Sequence, residues 1–118
     1  MEFIEAPLFT QLLSRYLADD EYRRLQLYLA LDPDAGDVMA GTGGCRKVRW
    51  ADQRRGKGKR GGLRLIYYHL VKEAQIWLLT LYAKDEVVDL SAKERRLLKA
   101  AIEDEVRKRS QRRKPKGR

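Results

Sequence analysis

Residues 63–70 read LRLIYYHL and residues 75–82 read QIWLLTLY, separated by Val71-Lys72-Glu73-Ala74. Both runs are dense in β-branched and aromatic side chains, and their length is that of strands rather than helices. The four residues between them fit a hairpin connection. Each run is almost continuously apolar instead of alternating, which predicts central strands covered on both faces.

Upstream of this hairpin the chain reads first as helical. Residues 2–5 suit a short strand, and Pro7 suits a first helical turn, where its missing N–H costs nothing. Leu8, Phe9, Leu12, Leu13, Tyr16 and Leu17 recur at helical spacing, predicting a helix over 8–17. Asp19 or Asp20 caps a second helix whose inward stripe is Tyr22, Leu25, Leu29 and Gln26. Pro33 disfavours helix at Asp32 and ends it within Asp32-Pro33-Asp34-Ala35-Gly36. Residues 45–51 alternate loosely and suit a further strand, whereas QRRGKGKRGG at 53–62 has no apolar residue and predicts a flexible loop.

Downstream, Ser91 and Glu94 fit a capping box. Leu97, Leu98, Ala101, Ile102 and Val106 then follow at helical spacing. The predicted order is β-α-α-β-β-β-α. This is one α+β domain over residues 1–106, with a small antiparallel meander sheet, an N-terminal αα-hairpin and a C-terminal helix. The helices are expected on one face of the sheet. Residues 107–118 read as a basic, disordered tail.

The net charge of +9 is segregated. Residues 46–64 hold nine basic side chains against one acid, Asp52, and residues 107–118 hold eight against none. The rest of the chain is mildly acidic. Such blocks make a local field for a polyanion, and phosphate backbones are the commonest polyanions a protein meets. Cys45 stands alone, which excludes an internal disulfide, and with a single His69 a zinc site is not expected. No apolar run has the length of a membrane span, and Met1-Glu2-Phe3-Ile4-Glu5 lacks the basic and apolar regions of a leader. The chain reads as soluble and cytoplasmic, with no cofactor, metal or membrane partner.

Alternate residues of a strand share a face, so Lys47 and Arg49 project together. Arg64 begins the next strand and comes near them if residues 53–62 close a hairpin, with Lys57, Lys59 and Arg60 on a flap alongside. Clustered cations suit RNA cleavage by the substrate's own 2′-OH. That reaction needs in-line geometry, stabilisation of charge on phosphorus and two proton movements. Arg is always charged and grips phosphate oxygens bidentately, and a Lys crowded by like charges can serve as a base.

GTGGCRKVRW at 41–50, GKGKRGGLRLIYYHL at 56–70 and LLTLYAKDEVVDLS at 78–91 together resemble the HigB-type branch of the RelE/ParE toxin superfamily, over residues 3–102. The resemblance implies a RelE-like fold and metal-independent, ribosome-dependent cleavage of mRNA in the decoding site, beside ribosomal RNA. It further implies a 2′,3′-cyclic phosphate product and neutralisation by a cognate HigA-like helix-turn-helix antitoxin. By the same resemblance Arg64 matches the strand arginine at the scissile phosphate, Lys47 and Arg49 the paired basic residues of the preceding strand, and Lys84 the basic residue after the last strand. Arg46, Lys57, Lys59 and Arg60 are candidate RNA contacts, and Tyr82 or Tyr68 is left to supply a base-stacking ring. Asp85 stands where the RelE pattern has a further Arg, and Leu90 or Ser91 stands near its Tyr, so the general acid and base stay unassigned.

Trp50 reads either as core or as a stacking platform for a base. Trp77 reads as core, Cys45 as a small apolar residue, and His69 as a packed, hydrogen-bonded side chain. Two other functions compete with the ribonuclease: a gyrase inhibitor without nuclease activity, as in ParE members of the superfamily, and a plain RNA- or ribosome-binding module.

Overall fold

The computed structural model describes residues 1–58, 62–86 and 90–112, with Arg112 described by its backbone only. Lys59, Arg60 and the 113–118 part of the expected tail lie outside the described residues.

Strand β1 (Glu2–Glu5) passes through an extended Ala6 into helix α1 (Pro7–Tyr16), with Pro7 in its first turn. Helix α2 (Asp19–Leu31) is capped at Ala18 rather than at an aspartate. Asp19, Asp20 and Glu21 instead fill its first turn, where negative charge is favoured by the helix dipole. Glu21 reaches back, and its Oε1 accepts from the Ala18 N–H at 3.1 Å. The chain continues through β2 (Asp37–Val38), β3 (Arg46–Trp50), β4 (Leu63–Leu70), β5 (Gln75–Ala83) and α3 (Ala92–Arg112). A two-residue β2 carries no periodic signal, and the sequence reading omits it.

The sheet order is β1-β5-β4-β3-β2. Strands β2 to β5 pair antiparallel in a meander, as expected, but β1 joins the β5 edge in parallel, with Glu2 opposite Gln75. The sheet is therefore mixed: the expected antiparallel meander of β2 to β5 gains a parallel edge strand in β1. The reason is a count of reversals. The αα-hairpin turns the chain twice and returns it to the end of the sheet that β1 left. Strand β2 then runs against β1, and three more reversals bring β5 back alongside β1 in the same direction.

The helices also divide between the two faces, where one face was expected. Phe9, Tyr16, Leu25 and Leu29 of α1 and α2 pack with Val48, Leu63, Leu65, Tyr67, Leu78 and Leu81 on one side. Ile102, Leu98 and Val106 of α3 pack with Ile66, Trp77, Tyr82, Met39 and Cys45 on the other. Strands as apolar as β4 and β5 need both covers.

The expected capping box is present: Ser91 Oγ accepts from the Glu94 N–H at 3.1 Å, and Glu94 Oε1 accepts from the Ser91 N–H at 2.8 Å. Helix α3 continues past Val106 to Arg112, through six residues expected in the tail. Opposite charges one turn apart support the extension, Asp104 with Arg107 and Lys108 and Glu105 with Arg109. Arg109 also lies 4.8 Å over the Trp77 ring and donates to Gln75 Oε1 at 3.1 Å. Among the described residues no helix is long and apolar enough to cross a membrane.

The described part of the 53–62 loop carries local structure that the sequence does not announce. Gln53–Arg55 forms a 3-10 turn, and the buried Asp52 bridges to Lys57 and accepts from the Arg55 N–H at 3.3 Å. Arg54 donates to Ser14 and Arg15 carbonyls at the end of α1, at 2.7 and 3.1 Å. The backbone is thus ordered by charged side chains, a route that an apolar pattern does not reveal.

Candidate active site

Strand register assembles the basic residues. Arg49 stands opposite Arg64 across β3 and β4, Arg64 opposite Tyr82 across β4 and β5, and Lys47 lies two residues from Arg49. Opposed residues of an antiparallel pair share a face. All four therefore project from the side that α3 covers further along. Lys84 follows Tyr82 by two and extends the same row, its N–H donating to the Gly62 carbonyl at 2.9 Å.

Tyr82 reaches this face only because β5 is irregular. Ile66 pairs with Thr80, but the next residue, Tyr67, pairs with Leu78, so Leu79 is an extra residue in β5. One inserted residue reverses the alternation beyond it. Without that bulge Leu81 would stand in the row where Tyr82 stands.

Lys47, Arg49, Arg64, Tyr82 and Lys84 line one cleft of about 530 Å³, together with Tyr28, Asp37 and residues at its edge. Arg64 forms its buried floor at 7% exposure, and its Nη1 donates to the Leu63 carbonyl at 3.0 Å. Burial, followed by the neighbouring Arg49 charge, pushes the Arg64 guanidinium below its ordinary pKa, while the Tyr82 side chain opposes that shift. Guanidinium stays charged even so, because it starts far above neutrality. The fold thus keeps like charges together at an electrostatic cost, an arrangement that an anion would relieve.

All four residues expected to carry the chemistry, Arg64, Lys47, Arg49 and Lys84, meet in this cleft, and Tyr82 lines it with them. Other candidates lie elsewhere. Arg46 points to the opposite face, where its Nη1 donates to the Gly36 carbonyl at 2.8 Å and its Nε lies 3.5 Å from Asp34. Trp50 also packs on that face, against Tyr28 at 5.5 Å between centroids. Tyr68 shares the face of the cleft but stacks further along it on Trp77, at 5.5 Å. Lys57 Nζ is 2.8 Å from Asp85, which also accepts from Arg55 Nη2 at 2.6 Å. Lys57 does not line the cleft.

Those two cations hold the Asp85 carboxyl down at about 2, the bond from Arg55 contributing most. Asp85 therefore fastens the 52–57 loop to the end of β5, next to Lys84. His69 is hydrogen-bonded as expected, its Nδ1 2.9 Å from Asp34. Cys45 is buried, and burial pushes its thiol pKa up, as suits a core residue. Tyr28 and Asp37 are cleft residues that sequence reasoning missed. Asp37 sits just past a helix stop, in a strand too short to show alternation.

No protein-family model matches the chain. Among solved structures it is similar to the Escherichia coli toxin RelE, determined in the free state as a variant with two arginines changed to alanine. The TM-score is 0.50, with 14% sequence identity, over 74% of this chain and 86% of that one. At so low an identity the likeness speaks to architecture, and function has to be argued from the site. A mixed five-stranded sheet, an N-terminal αα-hairpin on one face and a C-terminal helix on the other give this chain a RelE-like α+β fold.

Proposed function

We propose that this protein is the toxin of a toxin–antitoxin pair, a metal-independent endoribonuclease of the HigB type that cuts mRNA in the decoding site of the ribosome. One observation carries the reading: Lys47, Arg49, Arg64 and Lys84, from three stretches of chain, converge on one cleft of about 530 Å³ floored by a buried guanidinium. A module that only bound RNA would be served by exposed cations and would have no need to bury one.

The cleft suits in-line attack of a ribose 2′-oxygen on the adjacent phosphorus. Arg64 and Arg49 offer paired N–H donors to the non-bridging oxygens, where charge grows in the transition state. Lys47 and Lys84 add charge at the two ends of the row. Tyr82, opposite Arg64, offers a ring at the same wall. The products are a 2′,3′-cyclic phosphate and a 5′-hydroxyl. The partners in this reading are mRNA with the surrounding ribosomal RNA, and a HigA-like helix-turn-helix antitoxin.

Induced expression followed by primer extension on cellular mRNA tests the proposal. Cuts confined to translated regions, and lost when translation is blocked, are expected. Growth arrest with intact mRNA and inhibited gyrase would overturn it in favour of a ParE-like poison.

A further inference from the structure

The cleft is not purely cationic. Asp37 lines it with Lys47, Arg49, Arg64 and Lys84, and stands directly opposite Lys47 in the β2–β3 ladder. Among the described residues lining the cleft it is the single carboxylate. We propose that Asp37 is the catalytic proton acceptor of the cleft, taking the proton from the attacking 2′-OH of an RNA substrate. This rests on the ribonuclease reading above and supplies the base that the basic residues leave open.

Two things support it. The first is the effort spent on holding Asp37 in place. Gly36, just before it, lies so close to β3 that an added Cβ would be 2.9 Å from the Lys47 carbonyl carbon and oxygen. The Gly36 N–H donates to the buried Tyr67 hydroxyl at 3.0 Å, and that hydroxyl donates to the Pro33 carbonyl at 2.8 Å. Arg46 donates to the Gly36 carbonyl, and His69 holds Asp34. Beyond Asp37, the Met39 N–H donates to the Cys45 carbonyl at 2.8 Å. An exposed two-residue strand is thus pinned from both ends, so the backbone that carries Asp37 is held opposite Lys47 at the cleft.

The second is chemistry. Guanidinium and ammonium groups in their charged forms stabilise a phosphorane-like state but have no lone pair with which to accept a proton. A carboxylate has. In the step, the 2′-OH proton passes to an Asp37 oxygen while O2′ bonds to phosphorus. The P–O5′ bond breaks with its electron pair on O5′, and O5′ takes a proton from the Lys84 ammonium. Solvent then removes the proton from Asp37 and restores that of Lys84.

The test uses the full chain and a synthetic mRNA, free and bound to programmed ribosomes, under single-turnover conditions. Failure of the wild type to cut in either form would remove the ribonuclease reading itself. Given wild-type cleavage, Asp37→Asn is expected to slow it by about 100-fold or more. Binding of an uncleavable RNA with a 2′-deoxy scissile nucleotide is expected to persist. The deficit should remain on a substrate whose 5′-bridging oxygen is sulfur, since that leaving group needs no proton. Asp37→Glu, which keeps an acceptor on a longer arm, should cleave faster than Asp37→Asn. Overturning results would be near-wild-type cleavage by Asp37→Asn, recovery with the sulfur substrate, a fall matched by equal loss of RNA binding, or no advantage of Glu over Asn.

Discussion

Arg64 and Tyr82 face one another directly across β4 and β5, and the bulge at Leu79 is what brings them to the same side. Arg64 is buried there beside a second arginine, Arg49, which lies opposite it on β3. Burial and the neighbouring Arg49 charge both disfavour the charged Arg64 guanidinium, and a bound anion would offset that cost.

Arg64→Ala should lower RNA cleavage by about 100-fold or more, the scale of losing a main donor to a developing oxyanion. Circular dichroism should show the fold retained. Arg64→Met, which fills the volume without the charge, should stabilise the protein by about 1 kcal/mol while abolishing activity. An unchanged or lower melting temperature in that variant would contradict the electrostatic cost assigned to the site.

Gly36→Ala should destabilise by about 1–3 kcal/mol, because its Cβ meets backbone rather than a side chain that can swing away. Urea denaturation measures this. Cleavage by the folded variant should also fall, since the displaced segment carries Asp37. A stability equal to wild type would mean that β2 and β3 separate freely.

Asp85 binds its proton less readily in the folded protein, at about 2, than an unfolded aspartate near 4. Its contribution to stability is therefore present above about pH 4 and fades as pH falls toward 2. Asp85→Asn should melt below wild type at pH 6, and the gap should narrow on acidification. A gap that is constant across that range would show that Arg55 and Lys57 do not grip the carboxylate.

Ser91→Ala removes the acceptor of the Glu94 N–H and should cost about 1 kcal/mol, read as a lower melting temperature. Ser91→Asp should recover most of it. No loss in the alanine variant would mean that the first turn of α3 is held by packing alone.

The elements that the sequence states clearly are those with a long signal or a specific local chemistry. Strands 63–70 and 75–82 are read from unbroken apolar runs, α1 from its leucine spacing and Pro7, and the start of α3 from Ser91 and Glu94. The convergence of Lys47, Arg49 and Arg64 follows from simple alternation along two paired strands. Other features depend on long-range counting. The parallel seat of β1 is set by the number of chain reversals, and the face of Tyr82 by one extra residue. Asp37 becomes a cleft residue through its pairing opposite Lys47, beside a segment that Tyr67, Arg46 and His69 also hold. The run from Arg107 looks like a solvated tail until Asp104 and Glu105 are seen to neutralise one side of it.

The distribution of cleft residues along the chain has a consequence for synthesis. One wall is made by Asp37 and the far end by Lys84, so a polypeptide still being made has no complete grip until β5 has emerged and zipped onto β4. Strand β1 waits longest, because the neighbour of Glu2 is Gln75. A chain that stops before Lys84 therefore lacks part of the cleft lining.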